Sequence, residues 1–359
     1  MLVIVVVKIS RLRVHRFTAF EDAEFDFAAG VNVLIGENGT GKSHVLKLLY
    51  AVSEAVRRHA TGEGLDGLTG PRGLDEILAA MLASVFLPDE LGRLVRRAKG
   101  RRTAEAELTW ETGTVELKLS SLGKVTAKLT GDVSGLERGV FLPTREVLSI
   151  FPGFVETWLR RESTFDRTYY DLCLALGLPP LRGPRDATRA ALLKPIEEAL
   201  RASVVVDHGR FYLRYDDGNM EAPLVAEGHR KLAMIAYLII NGSLTSKGFL
   251  FWDEPEASMN PKLSRLTRDV VFGMGKLGVQ SFITTHDYVL ASELSLAAGA
   301  VPAGAEVSRF FALGRESGKE GVGVEVGAVL NDLETNPILD AFVDLNGRER
   351  AAMMARQES

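Results

Sequence analysis

The sequence predicts an α/β fold, on three observations. A short apolar strand, Val31 to Ile35, runs into the glycine-rich stretch GENGTGKS at 36–43 and then into a helical pattern. A second apolar strand, Phe249 to Trp252, stops on two adjacent carboxylates, Asp253 and Glu254. A third, Val279 to Thr284, stops just before His286 and leads into another helical pattern from Asp287. Strands that alternate with helices are the pattern of that class.

Each element follows from local periodicity. Ile4 to Phe17 and Glu24 to Phe27 read as strands with turn-like residues between them. Ser43 to Arg58 carries helical spacing, with Val45, Leu48, Leu49 and Val52 on one face. The run TGEGLDGLTGPRG reads as a loop, and Leu74 to Arg97 as one or two helices broken near Pro88. Ala104 to Leu129 alternates as antiparallel β structure. Glu156 to Leu176 and Asp186 to Arg201 read as helices. Ser203 to Tyr215 and Met220 to Val225 read as a hairpin whose turn holds Asp217-Gly218. Asp216 and Asp217 are therefore turn residues rather than a metal pair. A helix follows Gly228 to about Ile240, and another spans Pro261 to Lys276.

The 359 residues suit about two domains, or one large domain with an insertion. With 46% hydrophobic and 25% charged residues, a full core is available. A net charge of −4 argues against a broadly basic nucleic-acid coat but leaves room for a local patch. The single cysteine, Cys173, excludes an internal disulfide framework and a cysteine-rich zinc site, and suits a reducing cytoplasm. The longest apolar runs, Leu2 to Val7 and Leu232 to Ile240, fall far short of the ~20 residues that span a bilayer. No basic n-region marks a signal peptide, so the expectation is a cytoplasmic protein with no membrane partner.

GENGTGKS fits G-x-x-x-x-G-K-[ST] between a strand and a helix, the context that motif requires. Gly36, Gly39 and Gly41, with Asn38 and Thr40 between them, let backbone N–H groups turn toward phosphates. The helix N-terminus at Lys42, Ser43 and His44 adds partial positive charge. Lys42 is expected to reach the β- and γ-phosphates of ATP, and Ser43 to give its hydroxyl to Mg²⁺. A buried charge costs several kcal/mol unless it is paired or binds a metal. Asp253, ending an apolar strand, is thus expected to hold Mg²⁺ with Ser43. Glu254 points elsewhere, as base or positioner for the attacking water.

The surrounding residues carry a resemblance. PEASMNP follows Glu254, FITTHD carries His286, and VAEGHRKLAMI precedes the Asp253 strand. The opening SRLRVHRFTAFEDAEFDFAAGVNVLIGENGTGKS fits the same set. Together these resemble soluble ABC-type ATPases of the chromosome-maintenance, RecF-like and overcoming-lysogenization-defect branch. The stretch VFLPTRE at 140–146 is similar to AAA-type ATPases of bacterial phage-defence operons. The resemblance implies a mixed-sheet nucleotide lobe with an inserted helical lobe. It implies lobe parts at 1–147 and 247–330, a helical lobe with the signature motif at 148–246, and a tail at 331–359. It implies a D-loop at Ala257 to Pro261 and a switch histidine, His286, at the γ-phosphate. It also implies a signature turn at Ala226, Glu227, Gly228 and His229 that caps the γ-phosphate of a partner copy in a homodimer. Gly228 and Asp253 lie 25 residues apart, and Glu254 and His286 lie 32 apart, as that order requires.

Two departures stand out. Ala226 occupies the place where the signature turn usually has a serine, a hydrogen bond worth about 1.5–3 kcal/mol to a charged group; Arg230 or Lys231 is a candidate to compensate. The only glutamines are Gln280 and Gln357, so no Q-loop glutamine follows the phosphate loop, and Arg145 or Glu146 is a candidate for its coupling role. RLVRRAKGRR at 93–102 holds six positive charges. It reads either as a solvated helix face or as a nucleic-acid contact through Arg93, Arg96, Arg97, Arg101 and Arg102. The remaining histidines, His15, His44, His59 and His208, have no metal-ligand spacing. The 73 residues after His286 hold no clustered D-x-D site, so a separate effector such as a nuclease is expected to do any cutting. The outputs in view are a sensor subunit of a defence or DNA-processing complex, a RecF-like repair ATPase, and an ATP-binding scaffold.

Overall fold

The computed structural model describes residues 7–64, 73–183, 187–244, 248–301, 307–315 and 320–357. The start of the first expected strand and most of the glycine-rich run at 61–73 lie outside them. The chain opens with a hairpin, β1 (Ile9–Phe17) and β2 (Phe20–Asp26), followed by β3 (Val31–Gly36) and the helices α1 (Lys42–Thr61) and α2 (Leu74–Phe86). The strands β4 (Thr103–Trp110), β5 (Gly113–Ser120) and β6 (Val125–Gly131) complete an antiparallel sheet ordered β2-β1-β4-β5-β6. Its alternating pattern buries Leu12, Val14, Ala106, Leu108, Val115 and Leu117 and leaves charged side chains outside.

Next come β7 (Gly139–Leu142), α3 (Phe154–Leu159), α4 (Arg167–Leu176) and α5 (Ala187–Leu200). A small antiparallel sheet follows, β8 (Ser203–Asp207), β9 (Arg210–Tyr215) and β10 (Gly218–Glu221), and then α6 (Glu227–Ile240). The remainder is β11 (Phe249–Asp253), α7 (Ser264–Lys276), β12 (Gln280–Thr285), α8 (Tyr288–Gly299), β13 (Ser308–Gly314), β14 (Gly323–Gly327) and α9 (Pro337–Gln357). The central sheet runs β14-β13-β3-β12-β11-β7, parallel except for the edge strand β14. It is the mixed sheet expected of an α/β protein.

Every residue of β3, β11 and β12 is buried, as a parallel sheet covered on both faces demands. Alternate residues feed two cores. Val33, Leu250, Trp252, Ile283 and Phe310 pack toward α4–α8. Leu34, Phe249, Phe251, Phe282 and Phe311 pack toward α1, α2 and the antiparallel sheet. On that second face the Phe251 and Phe282 rings stack with centroids 5.2 Å apart, and Tyr50 of α1 meets Phe251 edge-on.

Three local expectations are corrected. The stretch Ser203 to Tyr215 is not one strand: His208 and Gly209 take positive φ and turn the chain between β8 and β9. Glu156 to Leu176 is two helices, because Asp166 accepts the N–H of Thr168 and starts α4 afresh. The helix from Leu74 stops at Phe86, where Leu87 caps it in the left-handed region. A 3-10 turn, Leu91–Leu94, follows, and Val95 bridges to Phe17. The basic run is therefore coil along the antiparallel sheet, not a helix face. Asp216 and Asp217 lie in the β9–β10 turn.

Candidate functional site

The parallel register fixes the site. Asp253 pairs with Thr284 across β11 and β12, and Thr285 pairs with Ile35 across β12 and β3. The carboxyl ends of three strands thus bring Gly36, Asp253, Glu254 and His286 to one rim, the usual crevice of parallel α/β sheets. The β3–α1 turn places Gly36, Asn38, Gly39, Thr40 and Gly41 there, with Lys42, Ser43 and His44 opening α1. Gly41 has φ of 93°, and a Cβ on it would lie 2.9 Å from the Phe20 ring, so only glycine fits. Thr40 ties the loop by donating to the Glu37 carbonyl at 2.9 Å.

Lys42 is buried and donates from Nζ to the carbonyls of Gly36 (2.6 Å) and Glu37 (2.8 Å). Burial pushes its pKa down, against the pull of the Glu254, Asp253 and Glu256 carboxylates. The Ser43 hydroxyl donates to Asp253 Oδ1 at 2.8 Å, and Thr284 Oγ1 donates to the same oxygen at 2.5 Å. Burial still raises the Asp253 pKa, with the Thr284 and Ser43 hydroxyls opposing it. A carboxylate held in this way gains from a hard cation beside it, and Ser43 and Asp253 supply oxygen donors at one point, the set that suits Mg²⁺. His44 goes elsewhere. Its ring meets Phe86 of α2 edge-on at 5.7 Å, and burial lowers its pKa.

Glu254 takes φ of +49°, a costly conformation for a residue with a side chain. Its N–H reaches the Thr284 carbonyl (3.2 Å) and hydroxyl (3.1 Å), which hold the kink. The kink turns Glu254 away from Asp253 and toward His286, whose Nδ1 lies 3.2 Å from Glu254 Oε1. Glu254 and His286 are both part exposed, at 24% and 46%. A carboxylate and an imidazole at an open rim beside a phosphate loop can order a water for attack on phosphorus.

The turn Ala226, Glu227, Gly228 and His229 begins α6 but meets a different neighbour. A Cβ on Gly228 would lie 3.0 Å from the Ser258 carbonyl. Among the described residues no hydrogen bond joins this turn to the phosphate loop of the same chain. Arg230 turns to Glu146, donating from Nε at 2.6 Å, and Lys231 donates to the Ala257 carbonyl at 2.5 Å. Both candidate stand-ins for the serine missing at Ala226 thus have partners inside the chain. Of the Q-loop candidates, Glu146 is the one tied to α6, and Ser149 steadies it from its hydroxyl at 2.6 Å. In the basic run Arg96 is structural, donating to the Ala19 carbonyl and pairing with Glu21 at 3.1 Å. Arg93 pairs with Asp89, whereas Arg97 and Arg101 are exposed and Arg102 partly so.

Sequence reading missed Thr284 and Glu256. Thr284 bonds both Asp253 and Glu254; the parallel pairing that places it opposite Asp253 is the signal that finds it. Glu256 accepts from Thr285 Oγ1 (2.7 Å) and the His286 N–H (3.1 Å), contacts between residues about thirty positions apart.

Comparisons with known proteins bear on the fold and on the class of protein. Residues 131–292 match the family model described as "AAA domain, putative AbiEii toxin, Type IV TA system", and residues 11–52 match a second "AAA domain" model. A DNA replication and repair protein RecF from Pediococcus pentosaceus is 36% identical over 55 residues, 15% of this chain and 14% of that protein's length. An Smc head bound to the C-winged helix domain of ScpA superposes with a TM-score of 0.56 at 11% identity, over 91% of this chain and all of that one. An Smc head with an extended coiled coil, bound to the C-terminal domain of ScpA derived from Pyrococcus furiosus, gives 0.52 at 11% identity over 95% and 100%. Two stretches of the chain thus match AAA-type ATPase domain models, a short one is similar to RecF, and the fold is that of the SMC heads, an ABC-type P-loop ATPase fold. No helix among its described residues is long and apolar enough to cross a membrane.

Proposed function

We propose that the chain binds ATP with Mg²⁺ and hydrolyses it between the phosphate loop of one copy and the signature turn of a second. The observation that carries the reading is the convergence of Ser43 with Asp253 and of Glu254 with His286 at one sheet rim. Lys42 would leave the Gly36 and Glu37 carbonyls for the β- and γ-phosphate oxygens. Ser43 and Asp253 would hold Mg²⁺, which supplies charge neutralisation at those oxygens. Glu254 would take a proton from water as its oxygen attacks the γ-phosphorus and the bond to ADP breaks, with His286 contacting the γ-phosphate. In this reading the nucleotide lobe comprises 1–147 and 247–330, with the helical lobe at 148–246.

The signature turn would act in trans, because its contacts in its own chain are with the Ala257–Met259 segment. With Ala226 in place of serine, the Gly228 and His229 N–H groups would carry closure. The output we propose is a sensor or regulatory subunit, whose dimer closure on ATP drives a separate effector in a defence or DNA-processing complex. Support comes from the putative-toxin family description over 131–292 and from the RecF likeness.

The test is the mass of Glu254→Gln with and without ATP, alongside wild-type phosphate release. The expected result is a dimer promoted by ATP in the variant and turnover only in the wild type. A strict monomer under both conditions sinks the two-copy site. A wild type that binds ATP without releasing phosphate leaves the scaffold reading.

A further inference from the structure

A third acid, Glu256, stands at the rim beside Asp253 and Glu254. Its side chain is 11% exposed, and one of its oxygens, Oε1, accepts from the Thr285 hydroxyl at 2.7 Å and from the His286 N–H at 3.1 Å. The same oxygen lies 3.6 Å from His286 Nδ1, the ring nitrogen that Glu254 approaches at 3.2 Å. Two carboxylates therefore meet at one edge of the His286 ring. The His286 backbone is held by one and its ring is shared by both. Thr285 Oγ1 also accepts the Asp287 N–H at 3.0 Å, so the whole turn from β12 into α8 hangs on this carboxylate.

The other oxygen of Glu256, Oε2, is buried with no hydrogen-bond partner among the described residues. A buried polar atom left unpaired is costly, and such atoms mark places where something other than stability has set the residue. A carboxylate at 256 also sets a negative charge beside the imidazole nitrogen. The next residue continues the chain of contacts: the Ala257 carbonyl accepts from Lys231 of α6. Lys231 is 1% exposed, and it feels the Glu227, Glu256 and Glu254 carboxylates.

We infer that Glu256 is a positioning residue for the proposed hydrolysis: it fixes the Thr285–His286 turn so that the imidazole faces Glu254, and couples that turn through Ala257 and Lys231 to the signature helix. The inference rests on the hydrolytic reading above and adds a residue to it. A ring displaced by about an ångström loses much of its effect on a positioned reaction, by as much as ~100-fold.

Two measurements separate this inference from the reading beneath it. The first uses no turnover. The chain has six histidines, so long-range proton–nitrogen spectra of the imidazoles can be assigned, using His286→Ala to identify the His286 ring. Glu256→Ala should move or broaden that ring's signals, and Glu256→Gln should move them less. Unchanged signals in both variants would overturn the inference even if ATP is hydrolysed.

The second is a double-mutant cycle on phosphate release. Glu256→Ala should lower kcat about tenfold or more with KM for ATP within about threefold, and Glu256→Ala/His286→Ala should be no slower than His286→Ala by more than about twofold. Additive losses would mean that Glu256 acts by some route other than His286. If Glu256→Ala does not fold, the Gln variant carries both measurements, with a smaller loss and the same non-additivity. Should the wild type show no turnover while the ring signals move as expected, the hydrolytic reading fails and the positioning contact stands.

Discussion

The two ends of α1 treat buried charge in opposite ways. At its start, Lys42 and the neighbouring Asp253 are held by backbone carbonyls and hydroxyls, with no ion pair of either among the described residues. At its far end, Glu54 accepts from Arg57 at 2.8 Å and from Arg58 at 2.7 Å, while Glu63 accepts from Arg57 at 2.6 Å. Burial alone would raise Glu54, but the Arg57 and Arg58 guanidiniums outweigh it and hold it below its ordinary value. Burial raises Asp253, and the Thr284 and Ser43 hydroxyls and the charge of Lys47 only oppose it. The far end pairs its buried charges within the fold. The start leaves its charges less fully answered, the pattern that a site set by function rather than stability shows.

The largest expected effect breaks the start. Lys42→Ala removes the ammonium that charge-assisted bonds to phosphate require, and ATP affinity should fall at least ~100-fold, or about 2.7 kcal/mol. The melting temperature should stay level or rise, because a desolvated lysine leaves. A titration with ATP that gives a Kd within threefold of wild type would remove Lys42 from the site.

The same operation at the far end should give the reverse. Glu54→Ala removes the buried carboxylate that Arg57 and Arg58 share, leaving Arg57 only Glu63, and breaking a buried pair costs about 3–5 kcal/mol. Urea unfolding should show that loss, while the ATP affinity of the folded variant stays within about twofold. A large loss of affinity with little loss of stability would show that the two ends are not separate in energy.

A smaller effect sharpens the comparison through pH. The Arg57 guanidinium bonds Glu63 and lowers its pKa to about 2, with Arg138 adding to the pull at 3.2 Å. An acid depressed in the folded state stabilises fully above its unfolded pKa, and the gain is lost as pH falls toward the folded value. The difference in melting temperature between wild type and Glu63→Gln should therefore be greatest above about pH 5 and close as pH falls toward 2. Glu63 is 43% exposed, so solvent screens the pair and the difference should shrink with salt. A gap that widens on acidification would contradict the pairing.

This contrast also explains what the sequence could disclose. The start of α1 was legible because its parts are contiguous: GENGTGKS, WDE and TTHD each lie within one turn or strand end. Chemistry at a strand end needs only local order. The cluster at the far end joins residues from α1, the segment after it, the approach to β7 and α4, where Tyr50 donates to Asp171 at 2.6 Å. No local pattern records that meeting. Glu256 was hidden differently. It stood in a quoted motif, but its role depends on β12 lying beside β11, a tertiary fact. The helical expectation for Arg93–Arg97 failed because capping at Leu87 and the contacts of Val95 and Arg96 override a helical charge pattern.

The basic run offers a third arrangement of charge, paired within the chain at Arg93 and Arg96 and exposed beyond them, and the structure narrows which of its members matter. Arg96 bonds Ala19 and Glu21, so replacing it would disturb the β1–β2 turn that packs on Gly41 and would confuse the result. Arg97, Arg101 and Arg102 are the useful set, since each is at least partly exposed. Their replacement by Gln should change folding stability by no more than about 0.5 kcal/mol, as is usual for surface sites, and should leave ATP turnover unaltered. If these side chains meet duplex phosphates, affinity falls with salt with a slope near −0.9 per phosphate neutralised. Removing all three should then flatten the slope by up to about 2.7. Binding titrations on one duplex at several salt concentrations supply that slope directly. Equal slopes for wild type and the triple variant would assign the run to solvation alone.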